Sequence, residues 1–209
     1  MNMQLHGLRV NLMASSERIY LDTEYAYDGM NPATGRPTSN ERRQLVQISA
    51  IRFDTASGRV IDEFDVYVHP TYLKALPDFF VELTGISQQD LNSKAISMQE
   101  GLDALWDFCA DTEVWTFDKD EEVIKQNYSY ISMEWEHKTP FVRVKPLLQK
   151  WGVDAEKYSS GSLYKAVGLK LEGHIHNALH DVISMANAVY ILENSTRSVS
   201  HNKNVGTKL

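Results

Sequence analysis

Residues 19–27 read IYLDTEYAY, a pattern typical of a buried strand that ends in two acidic residues. Because side chains alternate along a strand, Asp22 and Glu24 share one face and lie about 7 Å apart. At neutral pH two carboxylates so placed repel each other, so either one of them takes a proton or a cation lies between them. On its own the motif fits equally well a strand that runs out into solvent. Its meaning therefore depends on partners elsewhere in the chain.

Length and composition indicate one globular domain. The 209 residues suffice for one well-buried core, and no linker rich in Pro, Gly or Ser divides them. We expect a leader over residues 1–15, the domain over 16–194 and a polar tail over 195–209. No apolar run reaches the length of a membrane span, and the first residues lack the apolar segment of a secretory signal. We therefore expect a cytoplasmic protein without a membrane partner.

The formal net charge of −7 argues against a protein that gathers nucleic acid through an overall basic field. A polyanionic substrate would have to be held locally. The single cysteine, Cys109, excludes an internal disulfide and is typical of a small buried hydrophobic residue. The nearest approach to basic clusters, which we interpret as mostly solvated surface, consists of Arg42, Arg43, Lys138, Arg143 and Lys145.

The remaining pattern predicts an α/β chain with a mixed sheet. Two alternating runs, Gln44–Asp54 and Val60–Pro70, flank a turn and predict a hairpin beside the first strand, and Thr112–Phe117 predicts a further strand. The polar segment Asp28–Arg43 reads as a loop. Helices are predicted from Leu76, from the capping box Ser97–Glu100 to about Ala110, from Asp120, over Pro140–Trp151, over Ser160–Gly168 and along the apolar stripe that begins at Leu179.

The last predicted helix carries an acid away from its apolar stripe. Asp181 has mostly small helical neighbours, which would let this face approach another surface closely. His176 precedes Asp181 by five residues, near the start of the helix. With His174 and His180 it raises the alternative of a transition-metal cluster. The spacing matches no standard zinc pattern, and the chain lacks cysteine partners for one.

Three motifs in this order carry a resemblance to a known family. The D-x-E strand, an acidic loop after Trp115, and the H-x-x-x-x-D spacing of His176 and Asp181 resemble the DEDDh branch of the DnaQ-like 3′-to-5′ exonuclease superfamily. The resemblance covers roughly residues 16–194. It implies an RNase H-like fold, in which a mixed central sheet of three antiparallel strands followed by parallel strands is flanked by helices. The segment PDFFVELTGISQQD (77–90) is similar to the exoribonuclease subgroup related to histone-mRNA and small-RNA trimming exonucleases and their bacterial relatives.

The resemblance also implies a catalytic site. In that superfamily four carboxylates hold two divalent cations, and a histidine removes a proton from the attacking water. Carried over residue by residue, this makes Asp22, Glu24 and Asp181 ligands of Mg²⁺ or Mn²⁺ and makes His176 the general base. The tyrosine branch of the superfamily would need a tyrosine at position 177, which is asparagine in this chain.

The remaining acid has two candidates, because the stretch WTFDKDEEVI offers both Asp118 and Asp120. The family pattern places apolar residues three and four positions after the acid. Val123 and Ile124 satisfy this requirement for Asp120, whereas glutamates occupy those offsets after Asp118. We therefore assign Asp120 as the third metal-binding acid in chain order and keep Asp118 as the alternative.

Substrate contacts follow from the same resemblance. The backbone after Glu24 and the turn over residues 83–86 would hold the terminal nucleotide, with apolar side chains stacking on its base. We expect at least one of Phe79 and Phe80, on the neighbouring segment, to pack in the core instead. The substrate-binding residues expected on this basis are Tyr25, Leu83, Thr84 and Ile86.

The function implied is a metal-dependent 3′-to-5′ exonuclease that acts on single-stranded nucleic acid, with RNA favoured over DNA. Two alternatives stay open: an exonuclease of single-stranded DNA, and a non-catalytic nucleic-acid-binding module on the same fold. A dinucleotide-dependent oxidoreductase is disfavoured because no G-x-G-x-x-G follows a strand. Relatives in the superfamily are often dimers, so a homodimer is a candidate assembly.

Overall fold

A five-stranded mixed sheet forms the centre of the computed structural model, which describes residues 16–30 and 37–203. The strands are β1 Glu17–Met30, β2 Pro37–Asp54, β3 Arg59–Tyr67, β4 Val114–Thr116 and β5 Phe141–Arg143. They lie in the order β3-β2-β1-β4-β5. The first three pair antiparallel, and β4 and β5 run parallel to β1. The predicted fold class, a mixed sheet with three antiparallel strands followed by parallel ones, is confirmed.

Helices pack on both faces of the sheet because β1 alternates its apolar side chains between them. Ile19 and Leu21 face the third and fourth helices, and Tyr20 faces the last helix. The α-helices are α1 Asp78–Thr84, α2 Gln88–Lys94, α3 Met98–Cys109, α4 Asp120–Tyr130, α5 Lys145–Leu148 and α6 Ala178–Lys203. Short 3₁₀ helices cover Gln149–Trp151, Ala155–Lys157 and Ser160–Val167.

The capping box predicted at the start of α3 is confirmed. Ser97 Oγ accepts a hydrogen bond from the backbone N–H of Glu100, and the Glu100 carboxylate accepts one from the backbone N–H of Ser97. The two reciprocal bonds satisfy donors that a helix start otherwise leaves unpaired. Cys109, at the other end of α3, is buried in the core, as expected of a small hydrophobic residue.

The loop prediction for residues 28–43 is wrong over most of its length. Strand β1 continues to Met30, and β2 already begins at Pro37, with Asp28 paired to Arg42 and Tyr27 paired to Arg43. Residues 31–36 lie outside the described residues. Local turn propensity suggested a loop, but pairing between two long antiparallel strands overrides it, since β-propensity depends on cross-strand contacts more than on the single residue.

The predicted helix over Pro140–Trp151 is wrong at its start. Phe141–Arg143 forms β5, which pairs in parallel with β4, and the helical part begins only at Lys145 and ends in a 3₁₀ turn at Trp151. A three-residue strand is too short to show a period of its own. Its position is decided by the open edge of β4, which lies far away in sequence.

The ends of the chain differ in what the structure describes. Residues 1–15, expected as a leader, and residues 204–209 lie outside the described residues. Helix α6 continues to Lys203, nine residues past Asn194, where the polar tail was expected to begin. None of the helices in the described ranges is long and apolar enough to cross a membrane.

The sheet leaves a gap at the carboxyl end of β1. Among the described residues, β1 pairs with β4 only from Ile19 to Leu21, because β4 ends at Thr116. From Asp22 onward the β4 side of β1 is therefore an open strand edge, with main-chain groups that pair only on the β2 side. This gap is where the carboxyl ends of two parallel strands meet, the usual place for a site in an α/β sheet.

Candidate active site

Four acids from three separate elements converge on the open edge of β1. Asp22 and Glu24 come from β1, Asp120 is the first residue of α4, and Asp181 lies in the first turn of α6. Each of them is at most 9% exposed. All four line one cleft of about 380 Å³, together with His176. The structure thus brings together the five residues that the sequence assigned to catalysis.

Asp120 and Asp118 occupy different environments in this cleft. Asp120 is buried, and its Oδ1 accepts a hydrogen bond of 2.8 Å from Thr23 Oγ1 on β1. Val123 and Ile124, one turn further along α4, are buried in the core as the pattern required. Asp118 also lines the cleft but is only partly buried and precedes the helix.

Asp181 is fixed by donors on both of its oxygens. Ser160 Oγ donates to Oδ2 at 3.1 Å, the backbone N–H of His176 donates to Oδ1 at 3.2 Å, and His180 Nδ1 lies 3.2 Å from Oδ1. Gly161 lies against the same carboxylate, since a methyl group built on its Cα would lie 2.6 Å from Oδ2 and overlap Oδ1. The carboxylate therefore has little room to rotate.

His176 has an unusual backbone. Its φ of 71° falls in the left-handed region, which costs a residue with a Cβ roughly 1 kcal/mol. This conformation turns the chain into α6 and aims the His176 backbone N–H at Asp181. A ligand atom of His176 lies within 4.8 Å of ligand atoms of Glu24 and Asp181, so these three side chains surround one small volume.

Burial and mutual repulsion disfavour the ionised forms of the acids in the cleft. Burial, followed by the charges of Asp120, Asp181 and Glu24, raises the pKa of Asp22 well above its usual range. Burial and the charges of Asp181 and Asp120 raise the pKa of Glu24 to about 9. Both shifts have the same meaning: without added positive charge, the site cannot hold all of its carboxylates ionised at neutral pH.

The other two acids are shifted less because hydrogen bonds oppose the burial. Burial raises the pKa of Asp120 to about 6, and the bond from Thr23 limits the rise. Burial also raises the pKa of Asp181, against the hydrogen bonds from His180 and Ser160. A cluster of buried oxygen ligands with raised pKa values fits hard divalent cations, which favour the ionised form of each ligand.

The predicted substrate residues separate into two groups. Tyr25 and Leu83 line the cleft. Thr84 and Ile86 are buried behind it, where Thr84 Oγ1 donates to the Phe80 carbonyl at 2.8 Å and accepts from the Ile86 N–H at 3.1 Å. They support the turn and do not line the cleft.

Phe79 and Phe80 likewise differ in how far they are exposed. Phe80 is 4% exposed and packs in the core, whereas Phe79 is 48% exposed; both contribute to the cleft wall. The expectation that at least one of them packs in the core is confirmed. An exposed aromatic ring such as that of Phe79, in the wall of a polar cleft, is available to a planar ligand.

A family model described as Exonuclease (RNase_T) matches residues 19–189, which contain every residue of the cleft. The chain belongs to this exonuclease family. No curated protein matches the exonuclease by sequence.

Solved structures share the fold of the exonuclease at low sequence identity. The nuclease domain of 3'hExo, described as a DEDDh family member bound to rAMP, superposes with a TM-score of 0.75 at 14% identity, covering 88% of this chain and 94% of that chain. A structure of histone mRNA stem-loop recognition by 3'-exonuclease gives 0.73 at 15% identity, covering 87% and 83%. A zinc-bound E. coli ExoI-ssDNA complex gives 0.65 at 17% identity, covering 88% of this chain and 42% of that chain. The RNase H-like fold implied by the sequence is thereby confirmed.

The buried side-chain amide of Gln47 has a structural role that the sequence did not indicate. Gln47 lies opposite Glu24 in the pairing of β1 with β2. Its Oε1 accepts a hydrogen bond of 3.1 Å from the backbone N–H of Ala178, and its Nε2 donates to Asp65 at 2.8 Å. Gln47 therefore ties the first residue of α6 to the strand beside Glu24. Only the tertiary structure shows this role, because a glutamine in a strand carries no signal of its partner.

Proposed function

We propose that this exonuclease is of the DEDDh type and removes nucleotides from the 3′ end of single-stranded RNA or short oligonucleotides. The observation that carries the proposal is the convergence of Asp22, Glu24, Asp120 and Asp181 in one cleft, buried and beside His176. Four buried carboxylates that repel each other are the arrangement a two-cation site requires. Asp120 takes the place of the third acid, because it is buried and held by Thr23, whereas Asp118 is not.

The residues present fit Mg²⁺ or Mn²⁺, since both prefer carboxylate oxygens. Two such cations, held by the four acids, would activate the attacking water and stabilise the charge on the leaving 3′-oxygen. His176 accepts the proton of that water. The water oxygen bonds to phosphorus while the bond from phosphorus to the 3′-oxygen of the penultimate nucleotide breaks, so a 5′-mononucleotide leaves. Ser160 and His180 hold Asp181 in place during these steps.

The cleft walls offer two kinds of contact to a terminal nucleotide. The open edge of β1 beyond Glu24 presents main-chain groups that can bind the sugar and phosphate. Phe79 and Leu83 on the opposite wall are exposed and apolar, and they would stack on or wedge the base. Thr84 and Ile86 would act only by supporting the Leu83 turn.

RNA as the favoured substrate rests on similarity of fold. The 3'hExo structure is described with rAMP and a 3'-exonuclease structure with a histone mRNA stem-loop, whereas the ExoI structure is described with ssDNA and supports the DNA alternative. Discrimination depends on how the site treats the 2′-hydroxyl. The cytoplasmic location and the homodimer expected from the sequence stay predictions.

Matched 3′-labelled RNA and DNA oligonucleotides of one sequence, incubated with Mg²⁺ or Mn²⁺, test the proposal. We expect release of labelled 5′-mononucleotide, faster from RNA, and no release in EDTA. Faster release from DNA would reverse the substrate preference. Binding of both strands without hydrolysis under any of these conditions would overturn the enzyme assignment in favour of a binding module.

The stability of the metal-free protein should fall as pH rises from about 4.5 to 9. The pKa of Glu24 is raised to about 9 in the folded state, so the folded state binds more protons than the unfolded chain across this window. Stability is then fully present below the unfolded pKa and is lost as pH approaches the folded pKa. Thermal melts in EDTA measure the decline, and Mn²⁺ should restore stability strongly at pH 8 and little at pH 5.5.

Two glutamine variants test whether Glu24 contributes to this pH dependence of stability. Glu24→Gln should reduce the decline, because one of the titrating groups is removed, whereas the same change at the exposed Glu63 should leave the decline as in the wild type. A melting temperature that stays constant between pH 5.5 and 8.5 in EDTA would contradict the electrostatic description of the cluster.

Gly161→Ala should reduce kcat by about 10²-fold, because the added methyl group displaces the Asp181 carboxylate and a shift of about 1 Å at a catalytic group can cost that much. Steady-state kinetics at saturating Mn²⁺ measure the loss. The matched control is Gly168→Ala, at the end of the same 3₁₀ helix. It strains a backbone with φ 73° but meets no atom within 4 Å. It should lower stability and leave kcat unchanged; equal loss of kcat in both variants would show that contact with Asp181 is not the cause.

A further inference from the structure

The hairpin of β1 and β2 extends the wall of the cleft into a separate surface. Tyr25 and Tyr27, which follow the two acids on β1, line the cleft and contact each other edge to face at 5.6 Å. Across the hairpin, Tyr27 pairs with Arg43 and Asp28 pairs with Arg42. Two arginines thus flank the cleft at the place where the sequence predicted a loop.

Arg42 is held in a fixed orientation. Asp28 accepts hydrogen bonds from the Arg42 backbone N–H at 2.9 Å and from Nε at 2.7 Å. The guanidinium carbon lies 3.8 Å from the centre of the Tyr72 ring, and Tyr72 contacts Tyr130 edge to face at 5.6 Å. Since Tyr72 is 45% exposed, this stack of a cation and two aromatic rings faces solvent.

Arg43 connects this stack to the cleft. Its Nε donates to Gln126 at 3.1 Å, and its guanidinium carbon lies 6.0 Å from the centre of the Tyr25 ring. Arg43 therefore lies between Tyr25 in the cleft wall and its chain neighbour Arg42, which carries the stack. We call Arg42, Arg43, Tyr72 and Tyr130 the arginine–tyrosine surface.

Charge makes this surface complementary to a nucleic-acid strand. Among the described residues that line the cleft, five are acids and Lys119 is the one lysine or arginine. The cleft therefore attracts a polyanion only through bound cations at the cutting position. Beyond that position, the Arg43 guanidinium and the Arg42 nitrogens that do not bond Asp28 can contact phosphates, and the exposed part of the Tyr72 ring can stack on a base. These are the two contacts that single-strand binding uses.

We propose that the arginine–tyrosine surface binds the nucleotides upstream of the 3′ end while the cleft holds the terminal nucleotide. The inference rests on the proposed function and adds a preference for strands long enough to reach the hairpin. Because the contacts are to phosphates and base faces, the surface accepts any sequence. Its effect is to lower KM for such strands, with kcat set in the cleft.

A dinucleotide and a decanucleotide with the same 3′ end test the proposal. The double variant Arg42→Gln, Arg43→Gln and the single variant Tyr72→Ala should each raise KM for the decanucleotide about tenfold and leave dinucleotide kinetics unchanged. The salt dependence of log KM should weaken by about 0.7 for each cation removed. The matched control is Arg59→Gln, Lys150→Gln, which removes the same charge from exposed positions outside the cleft and the hairpin; it should behave as the wild type.

Three results would overturn the proposal: equal KM of the wild type for both lengths, equal changes of KM for both lengths in the variants, or the same effect in the control. Tyr72→Ala guards against misfolding, because its side chain is 45% exposed and the two hydrogen bonds between Asp28 and Arg42 do not involve it. Fluorescence anisotropy with the decanucleotide in EDTA separates this proposal from the proposed function. Weaker binding by the variants supports the surface even when no hydrolysis occurs, and unchanged binding refutes it.

Discussion

Asp22→Asn abolishes cleavage, with an expected loss in kcat of at least about 10³-fold. The asparagine keeps the shape of the side chain but removes a negative charge that lies among Glu24, Asp120 and Asp181. Loss of one neutral donor at a catalytic site already costs about 10² to 10³-fold, and loss of a charged cation ligand should cost more. Hydrolysis of a 3′-labelled oligonucleotide at saturating Mn²⁺ measures the loss.

The same substitution should stabilise the metal-free protein. Burial and the neighbouring carboxylates disfavour the ionised Asp22, so at pH 8 folding requires the wild type to take up a proton or to keep a repelled charge, and a neutral amide avoids both. We therefore expect Asp22→Asn to melt above the wild type in EDTA and below it in excess Mn²⁺, because only the wild type gains from binding. A simple folding defect would lower both melting temperatures.

Asparagine variants of Asp118 and Asp120 test which of the two is the third metal-binding acid. Asp120→Asn should remove the stabilisation by Mn²⁺, as Asp22→Asn does, because both carboxylates are buried in the cluster. Asp118→Asn should retain it, since that carboxyl is partly exposed and precedes α4. The reverse outcome would exchange the roles of Asp118 and Asp120, and an active Asp22→Asn enzyme would remove the basis of the two-cation proposal.

Replacement of His176 should lower kcat by about 10² to 10⁴-fold while binding of Mn²⁺ persists. A general base contributes in that range, and the four carboxylates remain in place. The left-handed backbone at His176, with a φ of 71°, dictates the choice of variant, because glycine and asparagine adopt this conformation more readily than alanine. His176→Gly and His176→Asn both tolerate this conformation.

Chemical rescue distinguishes loss of the base from disturbance of the site. Imidazole added to His176→Gly should restore part of the activity, since the deleted ring leaves space in a cleft that is open to solvent. The control is His174→Gly, two residues earlier and exposed, which should keep full activity and show no response to imidazole. Full activity in both His176 variants would show that another group takes the proton.

The sequence was informative where a residue's role depends on its own element. Alternation along one strand placed Asp22 and Glu24 together, and the buried Val123 and Ile124 favoured Asp120 over Asp118 through the helical offset. Likewise, the position of Asp181 away from the apolar stripe of α6 indicated a role outside core packing. These inferences need only the periods of a strand and of a helix.

The sequence was uninformative where a role depends on a distant partner. Ser160 and Gly161 fix Asp181 from twenty residues away or more, and no local pattern connects them. The extended hairpin could not be predicted for the same reason. Its polar residues are typical of turns, but they form strands because β1 and β2 pair there, for example at Asp28 and Arg42. Strand β5 likewise depends on the free edge of β4 rather than on its own three residues.

Strand β3 forms one border of the sheet, and its chemistry bears on assembly. An edge strand offers unpaired main-chain groups on which a second chain could add, and like charges set opposite each other oppose such an addition. β3 carries Asp62, Glu63 and Asp65 within four consecutive residues, against Arg59 alone. Two copies aligned edge to edge would bring these acids together. Continuous sheet formation across this border, and the aggregation that follows from it, is therefore disfavoured at neutral pH, and we expect a homodimer of this chain to use another face.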